Sequence, residues 1–208
     1  DVQTARISRS VRSILQQPMM YWLCFLYAVT FGGFVGYSSF LPIFFHDQYH
    51  LDMVAAGTIT SLCGLVGSLA RPFGGHLADR AGGLSLLLVV FPFIAALSFV
   101  LSWLPPLWIS IPLTVVLMLF LGFGNGVVFQ VVSLRFRGMM GTASGFIGAA
   151  GGIGGFLLTA WFGFLKDFTG SFAGGFLIFG LISCLAAISV FFMQRRWRVL
   201  VETPSGSE

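Results

Sequence analysis

A chain of 208 residues in which 57% are hydrophobic and only 9% charged, with a mean hydropathy of +0.94, has too little polar surface to clothe a soluble domain. Its net charge of +4 does not indicate nucleic-acid binding, because the arginines fall almost entirely between and beyond long apolar runs, where they report membrane topology. The composition is that of an all-α membrane protein crossing the bilayer several times.

Six apolar runs are each long enough to cross a bilayer, at residues 20–45, 54–78, 84–103, 107–131, 141–165 and 172–194. They divide the chain into a lead-in at 1–19, a transmembrane bundle at 20–194 and a tail at 195–208, whose last residues, 203–208, are expected to be disordered. The expected loops are short, at residues 46–52, at 79–83 and around Pro105 and Pro106, and leave no room for a soluble domain.

In the first run Tyr27 and Phe31 stand four residues apart, on one helix face. Packing explains most such pairs, but a phenol donor beside a bare ring also suits a small, weakly hydrated anion. The second run contains Arg71, the one charge at membrane depth, and every carboxylate of the chain lies outside the runs. An unpaired cation in this setting costs about 2.5–3.5 kcal/mol on insertion scales and marks a functional site. Arg71 precedes Asp79 by eight residues, roughly 12 Å of helical rise, a long way to snorkel. A bound anion is the expected counter-charge, because the guanidinium fork fits nitrate, carboxylate or phosphate bidentately. Gly64, Gly67, Arg71 and Gly75 share nearly one face, which predicts close helix contact there.

In the fourth run Asn125 lies between Gly124 and Gly126, either as glue between helices or as a contact to the anion, while Gln130 reads as structural. The fifth run carries a stripe of Gly141, Gly145, Gly148, Gly152 and Gly155, suited to tight helix packing, to sliding, or to exposing backbone N–H groups. Arg6, Arg9, Arg12, Arg80, Arg135, Arg137, Arg195, Arg196 and Arg198 lie on one side of the membrane and only Lys166 on the other, which places both termini in the cytoplasm. Cys24, Cys63 and Cys184 sit within apolar runs without ligand spacing, and no Ser/His/Asp grouping occurs. Neither catalysis, a metal nor a cofactor is expected.

The segment GGHLADRAGG, through Gly75, Leu77, Asp79, Arg80 and Gly82, resembles the G-x-L-x-D-R-x-G loop motif of the major facilitator superfamily, with Gly83 in place of the motif's terminal basic residue. GSLARPFGGHLADRAGG, GFGNGVVFQ and SGFIGAAGGIGGFLL are similar to the eighth, tenth and eleventh helices of the nitrate/nitrite porter family, and YAVTFGGFVG to its seventh. The resemblance implies the C-terminal six-helix half of such a porter in a cell inner membrane, with nitrate or nitrite and an N-terminal half as its partners. It implies that Arg71 is one of two substrate arginines and that Tyr27 and Phe31 lie against the anion. It makes Gly75, Asp79, Arg80 and Gly82 a conformational clasp whose latching Gly83 weakens, and Gly145, Gly148 and Gly152 part of a moving surface. Alternating access with anion exchange is the expected mechanism, since no intramembrane Asp or Glu offers a proton relay. A passive anion pore, an organic-anion carrier and a non-transporting scaffold remain open alternatives.

Overall fold

The computed structural model describes the backbone of residues 13–202 and the side chains of residues 13–195; Arg6, Arg9, Arg12, the side chains of Arg196 and Arg198, and the expected disordered end at 203–208 lie outside the described residues. Among the described residues there is no strand, and six helices are long and apolar enough to cross a membrane. These are α1 (Pro18–Tyr49), α2 (Met53–Ala81), α3 (Gly83–Ser102), α4 (Leu107–Arg135), α5 (Met140–Thr169) and α6 (Ala173–Glu202).

Local chemistry sets their ends. Pro18 opens α1 at a position where a missing N–H costs nothing. Asp52 caps α2, its Oδ1 accepting from the N–H groups of Val54 and Ala55 at 3.0 Å each. Gly82, at φ +83°, makes a one-residue break between α2 and α3 in a backbone region that side chains disfavour. Gly170, at φ +69°, closes α5, its N–H bonded to the carbonyl of Lys166 at 2.7 Å.

Several helices outrun the apolar runs. Residues 46–49, expected in a loop, complete α1, and Asp79 to Ala81, also expected in a loop, complete α2. Hydropathy locates the part that lies in hydrocarbon, whereas backbone hydrogen bonding continues through the interface until His50, in a left-handed conformation, or Gly82 interrupts it. The backbone of α6 likewise runs on to Glu202, beyond the expected boundary at 194.

The helices pack mainly in three pairs, α1 with α5, α2 with α4 and α3 with α6. In lipid no hydrophobic force drives helices together, so close backbone approach must, and glycine permits it. A Cβ on Gly122 would lie 1.8 Å from the carbonyl oxygen of Gly67, one on Gly74 2.1 Å from that of Phe123, and one on Gly126 2.0 Å from that of Arg71. In the α1 and α5 pair, a Cβ on Gly32 would meet the backbone of Gly154 and Gly155 at 2.8–3.0 Å. The predicted contact face on α2 is met at Gly67, Arg71 and Gly75, the carbonyl of Arg71 and the amide nitrogen of Gly75 lying 2.0 and 2.7 Å from where a Cβ on Gly126 would stand, and it extends to Gly74, while Gly64 has open space. On α5 the predicted stripe turns away from this chain, with open space at Gly141, Gly145, Gly148 and Gly152, and among its members only Gly155 packs tightly, alongside Gly151 and Gly154. A period near 3.6 allows two adjacent small-residue stripes on a helix this rich in glycine, and spacing does not say which one faces inward.

Towards the end that carries Lys166, Tyr37, Phe40, Phe44, Phe162, Phe172 and Phe176 interlock between α1, α5 and α6, with ring centroids as close as 4.4 Å for Phe40 and Phe162. Gly122→Ala, which drives a methyl into the Gly67 carbonyl, should destabilise the bundle by about 1–3 kcal/mol or more. Gly57→Ala, with open space around it, should leave the unfolding midpoint in detergent unchanged or slightly higher; equal midpoints for the two variants would refute the packing assigned to α2 and α4.

Candidate functional site

Arg71 lies within α2, followed by Pro72, and the carbonyl of Arg71 rests on Gly126 of α4. The glycine contact fixes the backbone at the level of the charge. From there the half-buried side chain reaches α1, where Nη2 donates to the hydroxyl of Tyr27 at 2.7 Å and the guanidinium carbon sits 5.1 Å from the Phe31 ring centroid. Among the described residues no carboxylate lies within 4.0 Å of it. The resemblance placed Tyr27, Phe31 and Arg71 in one candidate site, and the structure brings the three into contact.

The rings are held as a unit. Tyr27 and Phe31 stack with centroids 5.1 Å apart and planes 7° from parallel, and Phe129 of α4 meets Tyr27 edge-on at 5.0 Å and 70°. Behind them the α5 backbone comes so close at Gly151 that a Cβ there would lie 2.7 Å from Phe31 and 2.8 Å from Tyr27. Two helices not named for this role by motif therefore shape the aromatic wall. Phe129 stood in the GFGNGVVFQ segment and Gly151 in the glycine-rich one, but neither carries a polar group that would single it out.

The arrangement has a definite chemical polarity. Arginine has no acceptor, so the Tyr27 oxygen accepts from Nη2 and the phenolic proton stays free to be donated elsewhere. The guanidinium keeps its other N–H groups, and the ring face of Phe31 stabilises its charge by about 0.5–2 kcal/mol. Among the described residues the donors of Arg71 and Tyr27 converge within an aromatic surround, an arrangement whose polarity suits an anion and whose surround suits a small, weakly hydrated one.

Asn125 stands one helical turn before Phe129 on α4, is 1% exposed, and neither atom of its amide has a partner among the described residues. An unpartnered buried amide is costly, about 1–3 kcal/mol. The residues singled out for conformational change lie elsewhere. Asp79 and Arg80 are exposed in the last turn of α2, with no ion pair to either among the described residues. Gly82 ends that helix, Gly75 follows Arg71 by one turn, and Gly145, Gly148 and Gly152 line an open face of α5. The ion pair that does form joins Lys166 of α5 to Asp47 of α1 at the opposite end. Among the described residues no group of three or more His, Cys, Asp or Glu could hold a metal ion.

Residues 3–159 match the sequence profile of the Major Facilitator Superfamily. The chain is similar to a nitrite extrusion protein of Bacillus subtilis, 28% identical over 97% of this chain and 51% of that protein. It is also similar to a probable nitrate/nitrite transporter, NarK2, of Mycobacterium tuberculosis, 36% identical over 70% of this chain and 38% of that protein. A probable nitrate/nitrite antiporter, NarK1, of Thermus thermophilus is 29% identical over 81% of this chain and 42% of that protein. The chain spans about half the length of the curated relatives it matches.

The Asn125 geometry carries a sign. Replacing a buried, unpartnered amide by a shape-matched apolar side chain removes a desolvation cost, so Asn125→Leu should raise the unfolding midpoint in anion-free buffer. A lowered midpoint would mean that the amide is bonded within the protein.

Proposed function

The chain belongs to the major facilitator superfamily, and we propose that it is one half, the C-terminal half, of a carrier that moves nitrate and nitrite by alternating access, with Arg71 gripping the anion. The observation that carries this reading is the guanidinium of Arg71, held at membrane depth by the Tyr27 hydroxyl and the Phe31 ring with no carboxylate partner among the described residues. A cation so placed calls for a mobile counter-charge, and the names of the similar proteins of B. subtilis, M. tuberculosis and T. thermophilus include two small oxyanions that would supply it.

The division into halves is supported by length, since relatives about twice as long match this chain over roughly half of their own extent. The open faces support it too. Leu65, Leu69 and Phe73 of α2 are 56%, 58% and 68% exposed, Ile153 and Phe156 of α5 are 60% and 71% exposed, and the open glycines of α5 lie on the same helix as the latter pair. A second six-helix half docked here would close the anion site from the other side and supply the second arginine. Rocking of the two halves would alternate access, with Gly145, Gly148 and Gly152 as a smooth bearing and Gly75, Asp79, Arg80 and Gly82 as the clasp. Both termini would face the cytoplasm from the inner membrane, in keeping with the nine arginines on that side.

Exchange of one anion for another fits better than proton symport, because every Asp and Glu of the chain stands near or beyond a helix end. In the intact transporter reconstituted into vesicles, internal nitrite should accelerate nitrate entry. Arg71→Lys keeps the charge but loses the planar fork, and should lower that exchange by about tenfold or more. Exchange at the wild-type rate in Arg71→Lys would overturn the assignment of the site, and nitrate flux indifferent to internal nitrite would overturn the carrier mechanism in favour of a pore.

A further inference from the structure

At the arginine-rich end, remote from Arg71, a cavity of about 280 Å³ opens between the start of α3 and the end of α4, lined by Gly82, Gly83, Ser85, Gln130 and Arg135 among others. The first turn of α3 has no side-chain cap and no acidic residue, so its N–H groups present an uncompensated positive end. Arg135, exposed in the last turn of α4, adds a full charge to the same cavity. Ser85 is held there by α6, its Oγ accepting from Gln194 Nε2 at 3.1 Å.

Gln130 is the independent sign of a ligand. It is 8% exposed, its Oε1 has no partner among the described residues, and that oxygen lies 2.7 Å from where a Cβ on Gly83 would stand. Here Gly83, which departs from the basic residue of the loop motif, leaves room for the amide beside the helix start. A buried amide without a partner is expensive in protein and ordinary in a site. The cavity thus combines a cation and a helix N-terminus, which bind an anion, with an amide oxygen that needs a donor.

We propose that this cavity is a second binding site, distinct from the anion site at Arg71, for a phosphate group that carries a hydroxyl or ammonium donor. Its position at the membrane surface offers two sources of that chemistry, the headgroup of a phospholipid such as phosphatidylglycerol and free hydrogenphosphate. The site stands on α3, α4 and α6 alone and does not depend on the transport reading.

The test uses the intact protein in detergent, with phosphatidylglycerol adducts measured by native mass spectrometry and inorganic phosphate binding by calorimetry. Arg135→Gln alters an exposed residue, and Gln130→Leu keeps the bulk of a buried one. Each should weaken binding of the probe by about fivefold or more, the effect of one arginine on an anionic headgroup, while the helix content of the protein stays at the wild-type level. Retention of phosphatidylglycerol with no response to phosphate would identify a lipid headgroup, and a response to phosphate alone would identify the free ion. Failure of both probes to bind, or binding weakened by Arg135→Gln but not by Gln130→Leu, would overturn the site, the latter by reducing it to surface charge.

Discussion

The contact between the Arg71 guanidinium and the Tyr27 hydroxyl is the constraint on which the rest of the site depends. A guanidinium at membrane depth must be stabilised without being neutralised if it is to hold a passing anion, and a phenol does this where a carboxylate would not. Tyr27 takes one N–H of Arg71, keeps its own proton free, and orients the plane of the charge over Phe31. The remaining donors share a single polarity, so on the proposed reading an anion completes the electrostatics. Neutralisation by a neighbouring Asp or Glu would turn the same arginine into a structural pair.

Glycine sets that geometry at a distance. The carbonyl of Arg71 touches α4 at Gly126, and the stacked rings of Tyr27 and Phe31 lie against α5 at Gly151. Both approaches are closer than any side chain permits, so the position of the charge and the position of its aromatic wall are each tied to a neighbouring backbone. Rigid pairs of helices, α2 with α4 and α1 with α5, therefore deliver the two halves of the Arg71 and Tyr27 bond. The open glycines of α5 make no such contact among the described residues, and that face is the one the proposed carrier would use for relative motion of its halves.

Much of this was legible in the sequence. Hydropathy located all six helices, and a lone arginine among apolar residues located the charge. The four-residue spacing of Tyr27 and Phe31 put both on the face that meets it. What pattern alone did not reveal was register between helices. Gly74 and Gly75 are adjacent and chemically identical, and only the neighbour's backbone decides that a Cβ is barred at Gly74, 2.1 Å from the Phe123 carbonyl oxygen, and has room at Gly75. The same holds for Gly151 beside Gly152. Phe129 was missed because an aromatic in an apolar helix carries no mark of its partner.

The central claim is that an anion, not a carboxylate, balances Arg71. The most direct measurement is an anomalous-scattering map of the intact transporter crystallised with bromide as a monovalent surrogate. The account predicts a bromide peak within about 4 Å of the Arg71 guanidinium, on the side away from Phe31. A map with an acidic side chain in that position, or with bromide elsewhere and none at Arg71, would contradict it.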